Sequence, residues 1–104
     1  MIDIKELQVI SANTDDVILT QHVLERIRER EVERDDLFNV ILNGEIIEQY
    51  PNDYPFPSCL ILGNDLNDRP LHIVCGLGKN KVWLVTVYIP DLDEWEEDLK
   101  TRKG

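Results

Sequence analysis

Several features that would assign a function directly are missing from this chain. Its only two cysteines, Cys59 and Cys75, lie apart and outside any CxxC motif, so the sequence offers neither a zinc site nor a disulfide framework. No hydrophobic run approaches the length of a membrane span. The start, MIDIKELQVI, lacks the basic and apolar regions of a signal peptide. We therefore expect a cytoplasmic protein without a membrane partner, with both thiols buried and free.

Basic residues are also scarce. The chain has 11 Lys and Arg against 21 Asp and Glu, and its net charge of -10 weighs against nonspecific binding to nucleic acid. The charges are distributed unevenly, however. Residues 22–34 hold four arginines and four glutamates, whereas residues 91–98 hold six acids. This distribution leaves room for a basic ridge on an acidic protein.

The usual signatures of catalysis are absent too. The sequence contains no Gly-rich phosphate loop, no Ser-His-Asp order and no clustered metal ligands. Its carboxylates are too many and too scattered to nominate a catalytic pair. We therefore expect no cofactor and no metal, and the two histidines are the best candidates for chemistry.

The length of 104 residues fits one domain, and the hydrophobic pattern divides that domain into helices followed by strands. Residues 17–20 look like a short extended lead-in to a helix, with Thr20 as the N-cap. Gly44 is a natural C-cap. We expect helices over residues 3–11, 21–31, 34–43 and 91–101, and strands over 45–50, 58–64, 69–77 and 81–89.

Consecutive strands with short connections are typical of an antiparallel meander. The predicted fold is thus an α+β domain with N-terminal helices packed on a four-stranded antiparallel meander, and a C-terminal helix closes the chain.

The last two strands allow a prediction of register. If their apolar alternations both face the helices, a three-residue loop over 78–80 must join them. His72 then lies opposite Thr86, with Tyr88 as a diagonal neighbour, and the three side chains share the sheet face away from the core. The residues expected to face the helices are Leu71, Ile73, Cys75, Leu77, Trp83, Val85, Val87 and Ile89.

The helix over 21–31 carries the first candidate site. A helical wheel predicts a buried stripe of Val23, Leu24 and Ile27. His22, Arg26 and Arg30 step by four along one flank of that stripe, and Arg28 lies on the other flank. Such a ridge would combine a proton shuttle with guanidiniums that bind phosphate. The alternative is a solvated edge held by weak ion pairs.

His72 is the second candidate, because a histidine within the apolar strand PLHIVC is costly if it is buried without partners. It is either a structural residue bonded to Thr86 or Tyr88, or a site residue on an open sheet face. With His22 it would form an acid–base pair for attack of an RNA 2′-hydroxyl on its own phosphodiester, without a metal. The loop YPNDYPFPS would either stack an unpaired base or cover an edge of the core.

Five short motifs in order give the chain a family resemblance. Together they span about residues 17–95, and the chain resembles the family catalogued as domain of unknown function 4258. The motifs are T-x-H-x-x-x-R-x-x-x-R from Thr20 to Arg30, N-G-E-I-I-E-x-Y at 43–50, P-S-x-L-I-L-G at 57–63, P-L-H-I-V at 70–74 and T-V-Y-x-P-D-x-x-x-W at 86–95.

That family is similar to the RelE/ParE-like and MqsR-like toxins, small helix-plus-sheet proteins that include mRNA endonucleases. The resemblance implies a RelE-like fold, an RNA substrate and an antitoxin partner of the zinc-finger MqsA type. It suggests His22, His72 and Tyr88 as catalytic residues, and Arg26, Arg30 and Thr86 as substrate-binding residues. The rival hypothesis is a non-catalytic module that binds a protein partner through an exposed strand face and the acidic tail.

Overall fold

The computed structural model describes all 104 residues and contains three α-helices and five β-strands. All three helices precede the last four strands. None of the helices has the length and apolar character of a membrane-spanning segment. A short 3-10 turn covers Thr14–Asp16. The elements are α1 (Ile4–Ser11), β1 (Val17–Leu19), α2 (Gln21–Arg30), α3 (Arg34–Asn43), β2 (Glu45–Tyr50), β3 (Ser58–Asn64), β4 (Pro70–Gly78) and β5 (Lys81–Tyr88).

The strands form one five-stranded mixed sheet in the order β1-β5-β4-β3-β2. β2 to β5 form the predicted antiparallel meander, but β1 adds a fifth strand, parallel to β5. The α+β class is confirmed, and the prediction of a purely antiparallel four-stranded sheet is wrong. The predicted lead-in over 17–20 pairs with β5 as a strand. Val17 lies opposite Val82 and Leu19 opposite Leu84, so strand alternation places all four side chains on the same face of the sheet.

Capping residues set the helix ends, and the sequence indicated two of them, Thr20 and Gly44. Asp3 caps α1, and Thr20 caps α2 by accepting a 3.3 Å hydrogen bond from the N–H of Val23. Glu31 adopts a left-handed conformation (φ 54°) and ends α2 one residue earlier than predicted. Gly44 is the C-cap of α3, as predicted.

The main core lies between the helices and one face of the sheet. Val23, Leu37 and Ile41 from the helices pack there against Ile73 and Leu84 from the sheet. Leu24, predicted to be buried, is instead 36% exposed, so the buried stripe of α2 is narrower than the helical wheel suggested.

The two cysteines oppose each other across β3 and β4 within this core. Both are free thiols, as predicted. Burial raises the pKa of Cys59 to about 12 and that of Cys75 well above its ordinary value, so both thiols stay protonated and inert.

The β4–β5 hairpin departs from the predicted register in two places. Its loop has two residues, Lys79 and Asn80, both with positive φ (56° and 59°), as a type I′ turn requires. A bulge between the pairs Cys75–Leu84 and Val74–Thr86 then leaves Val85 unpaired.

In this register, the side chains in the first half of β5 face the opposite sides of the sheet from those predicted. Val82 and Leu84 face the helices, instead of Trp83 and Val85, and Val87 returns to the core side beyond the bulge. His72 pairs with Tyr88 rather than with Thr86, which lies opposite Val74. Because strand residues alternate between faces, His72, Thr86 and Tyr88 still share the face away from the helices, as predicted.

The chain ends in a segment without helix or strand, residues 90–103, which we call the C-terminal strap. A helix was predicted over 91–101, but the structure has turns there and a single bridge between Trp95 and Arg102. The aspartates explain the difference. Asp91 accepts from the N–H of Asp93, and Asp98 accepts from Lys100 and Thr101, and such local bonds compete with a helix.

Candidate functional site

The sheet face turned away from the helices, called the outer face, is covered along only part of its area. Leu60 and His72 on that face are fully buried although they lie outside the helix-packed core. Trp95 of the strap is 1% exposed and contacts the His72 ring edge-on, with centroids 4.6 Å apart. The strap therefore forms a second, smaller hydrophobic layer over this covered half.

The other half of the outer face is open and forms a depression of about 560 Å³. This volume is in the range of small-molecule sites. Gly76 lies opposite Trp83 in the hairpin and adds no side chain, so the floor beside the indole stays free. The lining includes His22, Asp53, Tyr54, Ser58, Lys79 and Trp83.

His22 reaches the depression because Thr20 fixes the start of α2 on β5. The Thr20 hydroxyl donates to the carbonyl of Leu84 at 2.8 Å while it accepts from the N–H of Val23. Val23 is fully buried, which sets the rotation of the helix. His22, in the same first turn, is exposed at the rim.

The arginines of the predicted ridge lie progressively farther from the depression. Arg26 Nε donates to His22 Nε2 at 3.5 Å, and its guanidinium forms a 3.1 Å ion pair with Glu29. Arg30, one turn further along α2, is exposed and forms no ion pair. The structure thus joins Arg26 to His22 and leaves Arg30 outside the depression.

Two aromatic rings form a fixed wall of the depression. Phe56 and Trp83 lie 5.3 Å apart between ring centroids, tilted by 32°. Trp83 Nε1 donates to the carbonyl of Gly78 at 3.0 Å, which fixes the indole. A Cβ atom at Gly78 would lie 2.1 Å from the Phe56 ring, so this glycine is what lets the ring pack there. Tyr54, 95% exposed, precedes a cis peptide bond to Pro55.

An acidic group lies at the same depression. The Ser58 hydroxyl donates to Asp53 Oδ2, and the Asp53 N–H donates to the carbonyl of Tyr50 at 3.2 Å. These bonds orient the Asp53 carboxylate, and its other oxygen accepts no hydrogen bond from the chain. Lys79 adds an exposed ammonium without an ion pair at the tip of the hairpin.

His72 has a different environment, since both of its ring nitrogens are satisfied within the chain. Nε2 donates to the carbonyl of Leu99 at 2.8 Å, and because a carbonyl can only accept, Nδ1 is the acceptor for the Tyr88 hydroxyl at 3.1 Å. Burial lowers the pKa of His72, partly opposed by the Leu99 carbonyl and by Glu48. His72 is therefore a neutral residue that binds the strap to the sheet.

The strap is also held by ionic contacts around Arg102. Its guanidinium donates twice to Glu48, at 2.8 and 3.0 Å, and stacks 4.6 Å from the Trp95 ring centroid. The hydrogen bond from Arg102 lowers the pKa of Glu48. Desolvation and the hydrogen bond to Glu48 raise the pKa of Tyr50 to about 12. At neutral pH Glu48 and Arg102 carry opposite charges and Tyr50 is uncharged, so this contact holds the strap on the sheet.

The sequence-predicted residues thus fall into two separate groups. His22 and Arg26 belong to the open half, while His72 and Tyr88 bond to each other under the strap, and neither they nor Thr86 line the depression. Lys79 and Trp83 were not predicted as site residues, because the alternation of β5 assigned Trp83 to the core. The aromatic loop YPNDYPFPS, for which base stacking was one of two interpretations, supplies Asp53, Tyr54 and Phe56 to the lining.

Comparisons with known proteins place the chain in a family without assigning it an activity. Neither the curated proteins nor the solved structures contain a significant match. One family model, Domain of unknown function (DUF4258), matches residues 19–89. This match includes α2, α3 and β2 to β5, and it ends where the strap begins. Since it covers well over half of the sequence, the chain belongs to the DUF4258 family.

Proposed function

We propose that the protein is a metal-independent endoribonuclease that cuts single-stranded RNA in the depression beside His22. The observation that carries this proposal is the meeting of an exposed histidine, an unpaired lysine and a fixed aromatic wall in one open cavity. Aromatic rings stack unpaired bases, a lysine binds phosphate, and a histidine exchanges protons near neutral pH.

In the proposed reaction His22 is the general base, and its Nε2 exchanges the long 3.5 Å contact with Arg26 Nε for the substrate hydroxyl. It takes the proton of a ribose 2′-hydroxyl, the 2′-oxygen bonds to the adjacent phosphorus, and the bond from phosphorus to the 5′-oxygen breaks. The leaving 5′-oxygen takes a proton from water or from protonated His22. The products are a 2′,3′-cyclic phosphate and a 5′-hydroxyl, so no oxidant or metal enters the balance.

Positive charge for the phosphate comes from three sources around His22. Lys79 forms no ion pair, and Arg26 contacts His22 itself. The first turn of α2 leaves backbone N–H groups without helical acceptors, and helix starts favour anions. We therefore assign Arg26 and Lys79 to phosphate binding, and Arg30 to a weaker, more distant contribution.

The proposal gives His72, Tyr88 and Thr86 other roles than the catalytic and substrate-binding ones that the sequence resemblance suggested. His72, Tyr88 and Thr86 are not assigned contact with RNA, since the strap buries His72 completely and uses both of its nitrogens. We propose that His72 and Tyr88 act as structural residues that hold the strap in place.

The biological role that fits such an enzyme is that of a toxin of a type II toxin–antitoxin system, acting on mRNA. This part rests on the sequence resemblance to RelE/ParE-like and MqsR-like proteins. The proposed partner is an antitoxin, with a zinc-finger protein of the MqsA type as the first candidate. A neighbouring gene that encodes such a protein would support the role.

Incubation of the purified protein with single-stranded RNA in the presence of EDTA tests the proposal. We expect fragments that end in a 2′,3′-cyclic phosphate, and no cleavage of the matching 2′-deoxy oligonucleotide. An RNA that stays intact and shows no binding at low salt would overturn the proposal.

That negative outcome would favour the alternative, a non-catalytic module that binds a basic protein partner. All six acids of residues 91–98 are exposed on the strap, and this surface supports the alternative.

A further inference from the structure

The depression contains more than an RNA enzyme needs for cleavage, since Asp53 adds a negative charge where a phosphate would be repelled. A carboxylate at an RNA site is unfavourable unless it reads a hydrogen-bond donor. Asp53 is also oriented, because Ser58 donates to one carboxylate oxygen and the Asp53 N–H donates to Tyr50. An oriented acceptor beside an aromatic wall is suited to the edge of a base.

The chemistry of the bases selects among possible ligands of that carboxylate. An ionised Asp side chain only accepts hydrogen bonds. Guanine offers two adjacent donors on its Watson–Crick edge, the N1–H and the N2 amine. Adenine and cytosine each place one amine beside a ring nitrogen that repels a carboxylate, and uracil has one N–H between two carbonyls. Guanine is therefore the base that a carboxylate binds through two parallel hydrogen bonds.

We propose that the depression is a guanine-binding site for single-stranded RNA. The base stacks on the wall formed by Trp83 and Phe56, and its N1–H and N2 amine donate to Asp53. His22 and Lys79 then meet the sugar and phosphate of the same nucleotide. This inference rests on the proposed ribonuclease function and adds to it a substrate preference.

The geometry of the wall supports one base rather than a run of bases. The ring centroids of Trp83 and Phe56 lie 5.3 Å apart, so the two rings form one continuous surface, which a single base covers. Tyr54, at 95% exposure, is free to close over the other side of that base. The volume of about 560 Å³ is sufficient for one nucleotide.

A set of uridine oligomers with one central variable base tests the inference. Binding and cleavage are measured for guanine, inosine, adenine and cytosine at that position. We expect guanine to be preferred over adenine and cytosine by roughly ten- to a hundredfold, the usual effect of a bidentate base contact. Inosine keeps N1–H but lacks the amine, so it should fall between guanine and adenine.

Asp53→Asn tests whether the Asp53 carboxylate binds the guanine edge, with almost no change in side-chain shape. We expect it to reduce the guanine preference to within about threefold of adenine, since the amide offers one acceptor in place of two. The matched control is Asp93→Asn, which removes the same charge at an exposed position on the strap. It should keep the full preference, even if lower net negative charge raises affinity for every oligomer.

Ser58→Ala tests the orientation of the carboxylate. It removes the hydrogen bond that orients Asp53 but leaves the carboxylate itself, so the guanine preference should fall, but less than in Asp53→Asn. Oligomers that are all bound and cut equally well would overturn the guanine site and leave the ribonuclease proposal intact. A protein that neither binds nor cuts any of them would overturn the ribonuclease proposal itself.

Discussion

Each half of the outer sheet face has one histidine and one tryptophan, but the two pairs are used differently. Under the strap, His72 and Trp95 pack edge to face, and both are buried. In the open half, His22 is exposed and Trp83 is only partly buried, and both line the depression. The comparison shows that residue type alone does not identify a site. What covers the residue decides whether its chemistry is available.

The physical cause of the difference is the strap. It supplies a carbonyl for His72, an indole for the apolar surface and a guanidinium for Glu48. Nothing equivalent reaches Trp83, whose indole N–H bonds back to its own hairpin. The covered half is therefore a second core, and the open half retains groups without partners.

Replacing each tryptophan by alanine gives the largest expected contrast. Trp95→Ala should reduce the free energy of unfolding by about 3–5 kcal/mol, because it removes a large buried side chain. Trp83→Ala should cost clearly less, since the indole is partly exposed, but should weaken RNA binding by about 1–3 kcal/mol through loss of stacking. Urea denaturation and oligonucleotide titration measure the two effects. Equal destabilisation by both substitutions would contradict the division into halves.

The buried state of His72 predicts a pH dependence of stability. Its pKa is lowered from 6.5 by burial, so between the folded pKa and 6.5 the unfolded chain binds more protons. The free energy of unfolding should then fall as pH drops below about 6.5, by at most about 1.4 kcal/mol per pH unit. Urea denaturation across this range measures the slope.

His72→Gln is the control for that slope, because it removes the titrating ring and keeps a side chain that donates and accepts hydrogen bonds. It should lose the part of the dependence below about pH 6.5 that comes from His72. The lowered pKa of Glu48 contributes in a separate window, since stabilisation by this carboxylate is lost only as pH falls below its ordinary value of 4.5. An unchanged slope in His72→Gln would mean that His72 is not the titrating group.

The smallest expected effect concerns the arginine ridge. Arg26→Ala should weaken RNA binding a few-fold and reduce the salt dependence by about 0.7 in log Kd against log salt, the value for one phosphate contact on single-stranded nucleic acid. Arg28→Ala, an exposed arginine on the other flank of α2, is the matched control. If both substitutions change the salt dependence equally, Arg26 contributes only general charge.

Local sequence patterns predicted most of the elements but not the division of the outer face. Capping residues and apolar spacing predicted the first three helices. Strand alternation predicted the meander and the shared sheet face of His72 and Tyr88. The sequence did not predict the bulge at Val85 or the two-residue turn at Lys79 and Asn80. Valine is not a typical bulge residue, and Lys-Asn is not a typical pair for a turn with positive φ. As a result, Trp83 was assigned to the core.

The predicted helix over 91–101 would have had Trp95 and Leu99 as its apolar anchors. The true conformation of the strap depends on contacts far apart in sequence, such as Leu99 with His72 and Arg102 with Glu48. Local periodicity cannot reveal such contacts, and they decide that His72 is covered. The exposure of His22, in contrast, follows from Thr20 and the buried Val23 in the same helical turn, and the sequence predicted it.

The most direct measurement is RNA cleavage by His22→Ala and His72→Gln, compared with the unchanged protein at a temperature where all three are folded. We expect His22→Ala to lose about two to four orders of magnitude in rate, the usual contribution of a general base, without loss of stability. His72→Gln should be less stable but cut RNA within a few-fold of the unchanged rate. A folded His72→Gln that loses more activity than His22→Ala would place the chemistry under the strap and contradict the assignment to the open half.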